Sequence, residues 1–588
     1  MKRARSSEGC GLVKVRIDSP DREVEPDGCM DQEKLAVLAR LGIDTQGDRS
    51  ACACAGRQVV DDEVLMGLRV LAHSEVELYF AGDLHEVTGD KAHGCRGMSP
   101  RCEMRALDHL RKMVTANPPS KCRDGAIEAC TRLISQQFAA ALPPAQGMPI
   151  ADAEDNAACR RFEEWCGEDG GSTTLRVCEF EGTGRGTAAV RDLEAGEVIV
   201  STPKAVFLTA ENLAASRFGH VFAKVAGLDE TASLILLVIM EKAACATSPW
   251  RPYLESCPEW FGNGLQLTAQ EMCELQGSPA LDCLVQKRDD LRADYDALFP
   301  KLSEAFPEEL PLEQCSWEAF RWAAALVDTR CDTTLRGMMN HHPCAQGSVE
   351  GYSAGAGCAR VRLLAPVKPG HQVFVYYGSM SSASQLTRFG FCDMQHQDDT
   401  VPFELDQEGI TPLHQAALHT WRLRGDTQQL LRKRRAGTSD LAGNSAPSSA
   451  PAGNSAPAGN SALAGNCVSG EAAETSAPSW RLLATLRILH LDEEGEGGEA
   501  LKLISDAKVD PRREVSESNE AAVLATVKTL LEAMLAPYPS SLEADRARLE
   551  GAELTGGQRA CLTHVASIKQ VIEANLAWCN SRSAGLVS

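Results

Sequence analysis

Between residues 330 and 391, two apolar runs end in side chains that donate or accept hydrogen bonds. The first run ends at Asn340 and His341, the second ends at Tyr377, and an aromatic-glycine-aromatic step, Phe389–Phe391, follows. Amide, imidazole and phenol groups bind polar ligands, and aromatic rings pack against flat ones. The stretch is therefore predicted to form one wall of a site for a flat, charged cofactor.

Each of these residues also fits a purely structural role. Tyr377 on a strand is compatible with a core residue whose hydroxyl is satisfied, and Asn340 is compatible with a turn or a cap. His341 and His342 are adjacent, but no Asp, Glu or Cys stands at ligand spacing from them. No metal site is therefore predicted.

A glycine-rich run lies between two strand-like segments. Leu175–Phe180 alternates in polarity, Gly184 and Gly186 follow, and Gly196–Val200 forms a second strand. A dinucleotide-binding loop needs a helix directly after the glycines, whereas here a short strand pair follows. Two interpretations stay open: a plain hairpin turn, or a backbone that glycine allows to approach a ligand.

Length and charge limit the classes of partner. A chain of 588 residues is long enough for several domains, because single cores stop growing near about 250–300 residues. The net charge of −22 argues against nucleic acid and favours a basic peptide or protein as the partner. The acid surplus equally fits a role in solubility.

The cysteines and the apolar runs indicate an intracellular protein without a membrane partner. The 23 cysteines are scattered through apolar periodic segments, as is usual for reduced thiols. The longest apolar run, Leu234–Met240, is far shorter than the roughly 20 residues that span a bilayer. Residues 1–20 lack the apolar core of a secretory signal, so the expected location is the cytoplasm, the nucleus or both.

Elements outside the site region are predicted from periodicity. Apolar residues recur with helical spacing in several segments, and strand-like alternation appears at Val361–Leu364 and Gln372–Tyr377. The predicted helices cover Glu33–Leu41, Asp62–Phe80, Glu103–Val114, Ala126–Leu142, Thr231–Ala244, Asp290–Leu298, Trp317–Val327, 411–435, Trp480–Leu489, Glu520–Leu535, Ser541–Leu549 and Gly557–Leu576. Repeats of Ala-Gly-Asn between Ala442 and Asn466 predict a flexible insertion. The basic run Arg432–Arg435 fits a solvated helix end better than a nuclear signal.

Several short motifs occur in one order along the chain. They are Gly184-x-Gly186, Ser248-x-Trp250-x-Pro252-Tyr253-Leu254, Leu275-Gln276-Gly277-Ser278, Thr329-Arg330, Met338-x-Asn340-His341, Tyr377-Gly378, Phe389-Gly390-Phe391 and, near the C-terminus, Tyr538-Pro539-Ser540-Ser541-Leu542-Glu543-Ala544-Asp545. In this order they resemble a SET-domain protein methyltransferase of the Rubisco large-subunit methyltransferase class. The resemblance covers roughly residues 155–580.

The resemblance implies an α+β fold with a knotted β-rich SET core, a helical insertion and an all-α substrate-binding domain. The implied segments are a disordered N-terminus (1–30), a helical extension of unknown role (31–150), a SET domain (155–405) with an insertion at about 211–325, a helical substrate-binding domain (411–435 and 480–580) and a low-complexity linker (436–479).

It also implies an activity and a set of site residues. The cofactor would be S-adenosylmethionine, and the acceptor a lysine or histidine nitrogen of a protein. Tyr377 matches the active-site tyrosine of the class. The cofactor-binding residues would be Gly184, Arg185, Gly186, Arg330, Asn340, His341, Tyr377 and Phe391, with Arg330 on the carboxylate and Phe391 near the adenine.

Three positions depart from the class. Gly337 stands where an Asp is usual, Asp332 where lysine-directed members often carry an aromatic residue, and Ser382 where an Asn is common. Loss of the Asp removes a carboxylate expected beside the cofactor and weakens the expectation of donor affinity. A polar residue at 332 is compatible with a histidine acceptor. An alternative to the enzyme is therefore a catalytically silent SET-like interaction module.

Overall fold

The described residues form two compact units. The computed structural model of the chain describes residues 13–15, 34, 38–39, 49–54, 57–59, 62–73, 100–141, 149–152, 157–168, 174–181, 183–204, 207, 216–224, 228–311, 314–330, 339–342, 345–353, 357–378, 380–392, 399–405, 410–421, 423, 428–432, 478–551 and 553–587. One unit lies within Met1–Asp393 and Ala547–Val565, and the other within Met394–Arg546 and Ala566–Ser588.

The first unit contains a small sheet and a larger one. The strands are β1 (Val13–Val15), β2 (Arg49–Cys54), β3 (Arg57–Val59), β4 (Pro149–Asp152), β5 (Leu175–Phe180), β6 (Gly184–Ala189), β7 (Val198–Pro203), β8 (Asn340–His341), β9 (Gly347–Ser353), β10 (Cys358–Leu363) and β11 (Gln372–Val375). The larger sheet has the order β4-β5-β6-β11-β9-β10-β7, and β8 pairs with β11.

Strand β11 brings the predicted site segments together. It pairs antiparallel with β6 and parallel with β8, where Phe374 lies opposite Asn340. Strands β5 and β6 form a hairpin that sets Phe180 opposite Gly184. Val375 pairs with both β8 and β9, and β9 lies across β11 from β6, so β8 lies on the same side of β11 as β6. The glycine run and the Asn340-His341 pair therefore meet beside one strand, which leads directly into Tyr377.

Helices pack beside this sheet and build the largest core of the first unit. They are α1 (Asp62–Ala72), α2 (Pro100–Thr115), α3 (Lys121–Ala141), α4 (Ala157–Glu168), α5 (Gly219–Phe222), α6 (Glu230–Ala243), α7 (Arg251–Ser256), α8 (Ala269–Met272), α9 (Pro279–Ala305), α10 (Trp317–Arg330) and α11 (Ser382–Ser384). Apolar residues of α4, α6, α7, α9 and α10 share one cluster, including Leu236, Phe299 and Trp322. The mixed α+β class predicted from the sequence is confirmed.

The N-terminal region differs from the predicted disordered and helical segments. Val13–Val15 is a strand that pairs with β2, because its two β-branched valines favour an extended backbone. Strand β4 pairs with β5, so the larger sheet begins before residue 155. Helices α2 and α3 are confirmed, and their Leu107 and Ile134 cluster with Leu364 of the sheet region. The described part of this extension is therefore an accessory layer.

The second unit is helical apart from one strand pair. Its elements are β12 (Thr400–Glu404), α12 (Pro412–Thr420), β13 (Gln428–Arg432), α13 (Trp480–Leu489), α14 (Gly495–Ser505) and α15 (Glu517–Leu535), and α16 (Leu542–Gly551) and α17 (Gly556–Val587) have residues in both units. The predicted helix over 411–435 is wrong at β13, where Leu431 joins Val401 in the core. The Ala-Gly-Asn repeats and residues 433–435 lie outside the described residues.

Candidate functional site

Asn340 ties the glycine run to the neighbouring strands. Its amide Nδ2 donates to the main-chain oxygens of Thr183 and Arg185, both at 3.2 Å. These two carbonyls flank Gly184, so one side chain holds the turn between β5 and β6 from both sides. The segment Thr183–Gly186 is called the glycine loop below. Asn340 thus stabilises the backbone of this turn, which is a structural role.

The two glycines of the loop serve different needs. Gly184 has φ +65°, and a Cβ placed there would meet no atom within 4 Å, so the loop is open on that side. At Gly186 a Cβ would lie 2.8 Å from the Asn340 amide nitrogen and 2.4 Å from the Gln372 Nε2. Gly184 therefore provides a left-handed turn, and Gly186 provides room for the side chains behind the loop.

His341 and Tyr377 are joined through the backbone. The Tyr377 main-chain N–H donates to His341 Nδ1 at 3.0 Å, so this ring nitrogen carries a lone pair. The Tyr377 hydroxyl donates to the Met339 carbonyl oxygen at 2.5 Å. A phenol that donates to a carbonyl keeps its oxygen lone pairs as acceptors. The arrangement holds the Tyr377 oxygen in place as an acceptor beside the strand end.

An aromatic cluster surrounds this pair. The His341 ring lies 5.3 Å from that of Tyr377 and stacks at 6.0 Å on Phe391, and Phe389 lies 4.8 Å from Tyr377. Gly390 between the two phenylalanines has φ +83°, and a Cβ there would lie 2.4 Å from the Gly262 oxygen. The predicted aromatic-glycine-aromatic step therefore exists because another loop occupies the space of the central side chain.

Arg330 is the last residue of α10, and its guanidinium lies 5.4 Å from the Phe261 ring centroid. Arg185 donates to the Ser256 oxygen at 2.6 Å, one residue before Cys257. Burial raises the pKa of the Cys257 thiol, and the positive charges of Arg330 and Arg185 oppose that rise. Both arginines thus lie near the segment Ser256–Phe261. The hydrogen bond of Arg185 goes to the main chain of this segment.

The departures from the class have different structural outcomes. Gly337 and Asp332 lie outside the described residues. Ser382 is fully buried and hydrogen bonds at 2.9 Å to Nδ1 of His564, whose Nε2 lies 2.9 Å from the hydroxyl of Ser278. His564 therefore links the N-cap of α9 to the short helix that precedes Phe389, a contact that sequence reasoning did not foresee.

The C-terminal signature surrounds a buried charge. Within the second unit, Lys569 Nζ lies 2.5 Å from the Asp545 carboxylate and 2.8 Å from the Ser540 main-chain oxygen, and it faces the Tyr538 ring at 4.9 Å. Lys569 and Asp545 are 1% and 0% exposed at their side chains. Tyr538, Ser540 and Asp545 of the signature therefore surround Lys569 and supply the contacts that a buried charge requires.

Sequence reasoning missed a residue that completes the loop contacts. Gln372 opens β11, is 2% exposed, and accepts a hydrogen bond from the Thr183 hydroxyl at 3.2 Å. The available signal was a glutamine at the start of an otherwise apolar strand, Gln372–Val375. Buried amides in such positions are hydrogen-bonded to something specific.

Among the described residues, no three His, Cys, Asp or Glu side chains are placed to bind a metal ion together. The helices within the described ranges include none that combines the length and apolar character needed to cross a bilayer.

Comparison with known proteins gives three kinds of similarity. Residues 455–572 match the Rubisco LSMT substrate-binding family. The chain is 27% identical over 263 residues to the actin-histidine N-methyltransferase of Xenopus tropicalis, an alignment that covers 41% of this chain and 44% of that protein. For the Homo sapiens protein of the same name, identity is 24% over 262 residues, covering 41% of this chain and 43% of that protein. The alignments thus span less than half the length of these relatives.

The solved structures match over a longer span. Rubisco LSMT bound to sinefungin and monomethyllysine has a TM-score of 0.54 at 19% identity, covering 73% of this chain and 93% of that chain. The SET domain of LSMT bound to lysine and AdoHcy gives a TM-score of 0.52 at 19% identity, covering 73% of this chain and 92% of that one. The resemblance predicted from the ordered motifs is therefore confirmed, and the chain has a fold similar to that of the SET methyltransferase Rubisco LSMT.

Proposed function

We propose that this chain is an S-adenosylmethionine-dependent protein N-methyltransferase that modifies a lysine or histidine side chain. One observation carries the proposal: Asn340 holds the glycine loop, and the adjacent His341 holds the backbone of Tyr377. The residues that would bind a donor and the residue that would meet an acceptor are thereby fixed to one strand pair.

The residues present fit S-adenosylmethionine. The open side of Gly184 lets a ligand approach the loop backbone closely, which suits the amino-acid portion of the donor. Arg330 at the end of α10 supplies a guanidinium for the carboxylate. Phe391 offers an aromatic face for the adenine, and His341 stacks on that ring.

The end of α10 is held so that Arg330 keeps its position. Arg388 Nε donates to the Asp328 main-chain oxygen at 3.0 Å, and Lys287 pairs with the Asp328 carboxylate at 2.6 Å. These two contacts anchor the residue two positions before Arg330. Arg388 also belongs to the segment that leads to Phe391, so the proposed carboxylate and adenine contacts share one support.

Bound S-adenosylmethionine supplies a methyl group on a positively charged sulfur, which an incoming nitrogen displaces in line. The protein must align the nucleophile and exclude water, and such positioning supplies about 7–11 kcal/mol in favourable cases. The Tyr377 oxygen accepts an N–H of the incoming amine, since its proton is given to Met339. A lysine must arrive neutral, and desolvation lowers its pKa from about 10.4.

Two acceptors are compatible with the similarities. The curated relatives are named for histidine in actin, and the solved Rubisco LSMT structures include lysine and monomethyllysine. Asp332 in place of an aromatic residue supports histidine in this chain. The net charge of −22 supports a substrate whose modified segment is basic.

The domain layout is part of the proposal. A knotted SET core would span residues 155–405, with a helical insertion at about 211–325 that contains α5–α9 and most of α10. The regions 411–435 and 480–580 would form the substrate-binding domain, joined through the linker 436–479. The family match over 455–572 supports the part from 480 to 572, and it also takes in the last part of that linker.

Donor binding and methyl transfer test the proposal separately. Calorimetry with S-adenosylmethionine and labelling of lysate proteins with methyl-tritiated donor should both be positive, and hydrolysis should yield methyllysine or methylhistidine. Tyr377→Phe should cut the transfer rate about 10- to 100-fold, the effect of losing one transition-state hydrogen bond. Tyr295→Phe is the matched control, because its hydroxyl also donates to a main-chain oxygen, that of Cys315, at 3.0 Å. Absence of both binding and labelling would contradict the proposal.

A second candidate is a SET-like module that binds a partner without transferring methyl groups. Gly337 favours it, because the class usually has an acidic residue there. This candidate predicts weak or absent donor binding and no labelling. Gly337→Asp should then restore donor binding if the missing carboxylate is the only defect.

A further inference from the structure

Three carboxamide side chains meet between the glycine loop and the strands behind it. Asn340 donates to the loop from β8, and Gln372 reaches it from the start of β11. Gln346 supports β11 itself: its Oε1 accepts from the Phe374 N–H at 3.0 Å, and its Nε2 lies 3.4 Å from the Gln372 main-chain oxygen. Gln346 thus takes the place of a strand partner for the stretch that carries Gln372.

The register of the sheet aims Gln372 at the loop. Gln372 lies opposite Ala188 of β6, so its side chain is on the same face as Gly186, two residues away. Its Oε1 accepts from the exposed Thr183 hydroxyl, and its Nε2 lies where a Gly186 side chain would begin. One side chain therefore contacts both ends of the glycine loop.

The Nε2 of Gln372 has no hydrogen-bond partner among the described residues, and the residue is 2% exposed. A buried amide N–H without a partner is unfavourable, so such a group is not retained for stability. An apolar side chain of the same length would pack at this place at least as well. The geometry therefore favours a role in shaping the loop.

We propose that Gln372 is a positioning residue that sets donor affinity by holding the glycine loop in the shape that S-adenosylmethionine meets. The inference rests on the proposed function. Gln372 acts through Thr183 and Gly186, whereas the Tyr377 hydroxyl is held by Met339. Loss of Gln372 should therefore raise the KM for the donor and leave kcat and the KM for the protein substrate nearly unchanged.

The test compares variants of the full-length chain by calorimetry with S-adenosylmethionine and by thermal unfolding. Gln372→Met and Thr183→Val should each raise the donor Kd about three- to tenfold, as expected for one neutral hydrogen bond. Thr183→Ser should keep the wild-type donor affinity, because serine retains the hydroxyl that donates to Gln372. The double variant should bind no more weakly than the weaker single variant, because both changes remove one contact.

Thr187→Val is the matched control. Thr187 is also buried, its hydroxyl has no partner among the described residues, and it lies opposite Val373 on the other face of the same strand pair. Its donor Kd should stay within twofold of wild type. Gln372→Met should not lower Tm, whereas a purely structural role would lower Tm and leave Kd unchanged.

The outcomes separate the two proposals. If the wild-type chain binds the donor and both Gln372→Met and Thr183→Val bind it within twofold of wild type, the role of Gln372 is refuted and the proposed function stands. If the wild-type chain neither binds the donor nor labels protein with it, the proposed function fails and this inference fails with it. Because Thr183 is exposed, Thr183→Val keeps the test decisive even if Gln372→Met does not fold.

Discussion

Replacing Asn340 by Asp should loosen the glycine loop with almost no change in side-chain volume. The Asn340 Nδ2 donates to the Thr183 and Arg185 oxygens, both at 3.2 Å. A carboxylate has no proton to give, so two carbonyl oxygens would face a negatively charged oxygen. The loop must then turn away from β8 or admit water, and either change disturbs the proposed donor contact.

The size of the effect follows from these two bonds. A neutral hydrogen bond contributes about 0.5–1.5 kcal/mol net, so losing both costs about 1–3 kcal/mol. If the loop must regain its shape to bind S-adenosylmethionine, that cost appears in binding as a rise of about 5- to 150-fold in Kd. Repulsion between the carboxylate and the two carbonyls places the expected value toward the upper end.

Calorimetric titration of wild type and Asn340→Asp measures this rise. Asn117→Asp is a suitable control, because its Nδ2 also donates to a main-chain oxygen, that of Met113 at 2.9 Å, in the accessory layer. That variant should lose some thermal stability without losing donor affinity. Unchanged donor affinity in a folded Asn340→Asp variant would refute the claim that this side chain shapes the donor site.

Three further outcomes follow from buried groups. Lys569→Met should lower the free energy of unfolding by about 3–5 kcal/mol in denaturant titrations, because it leaves a buried carboxylate unpaired; a loss below 1 kcal/mol would contradict this. His564→Leu should cost about 1–3 kcal/mol by the same measurement, since two buried hydroxyls lose a partner, and an unchanged midpoint would be inconsistent with the bridge. Because burial raises the pKa of Cys257, its alkylation at pH 8, followed by mass spectrometry, should be slower than that of exposed Cys273. Arg330→Met should slow it further by removing a charge that favours the thiolate, and faster alkylation would show that Arg330 acts instead by covering the thiol.

The spacing of apolar residues along the sequence predicted those helices and strands whose buried residues recur with the period of the element. Leu175–Phe180 alternates and is a strand, and Trp480–Leu489 is a helix with the predicted bounds. The secondary-structure prediction failed where a short strand lies within a longer segment of helical periodicity. Gln428–Arg432 was included in a predicted helix because its two leucines fit either period, and only pairing with β12 selects the strand. The predicted helix Asp290–Leu298 covers only the middle of α9, which begins at Pro279 and continues past Pro300 to Ala305.

Contacts between distant residues explain why part of the site was not predictable. Asn340 and Arg185 are 155 positions apart, and their hydrogen bond depends on β6 and β8 both pairing with β11. The family order of motifs indicated that these residues belong together without indicating what they touch. Ser382 is a second example. It stands where the class commonly has Asn, and its hydrogen-bond partner, His564, belongs to none of the motifs.

Different side chains hold the two halves of the proposed site, the loop that would meet the donor and the Tyr377 oxygen that would meet the acceptor. Asn340 and Gln372 act on the glycine loop, whereas the Tyr377 oxygen is held by Met339, a contact that involves neither side chain. A chain whose donor contacts are weakened at Gly337 would therefore keep the acceptor geometry of Tyr377. It would transfer slowly at low donor concentration and recover as the donor approaches saturation, whereas a silent module would stay inactive at every concentration. Varying the donor in the labelling assay thus distinguishes a weakened enzyme from a non-enzyme, which a binding measurement alone does not do.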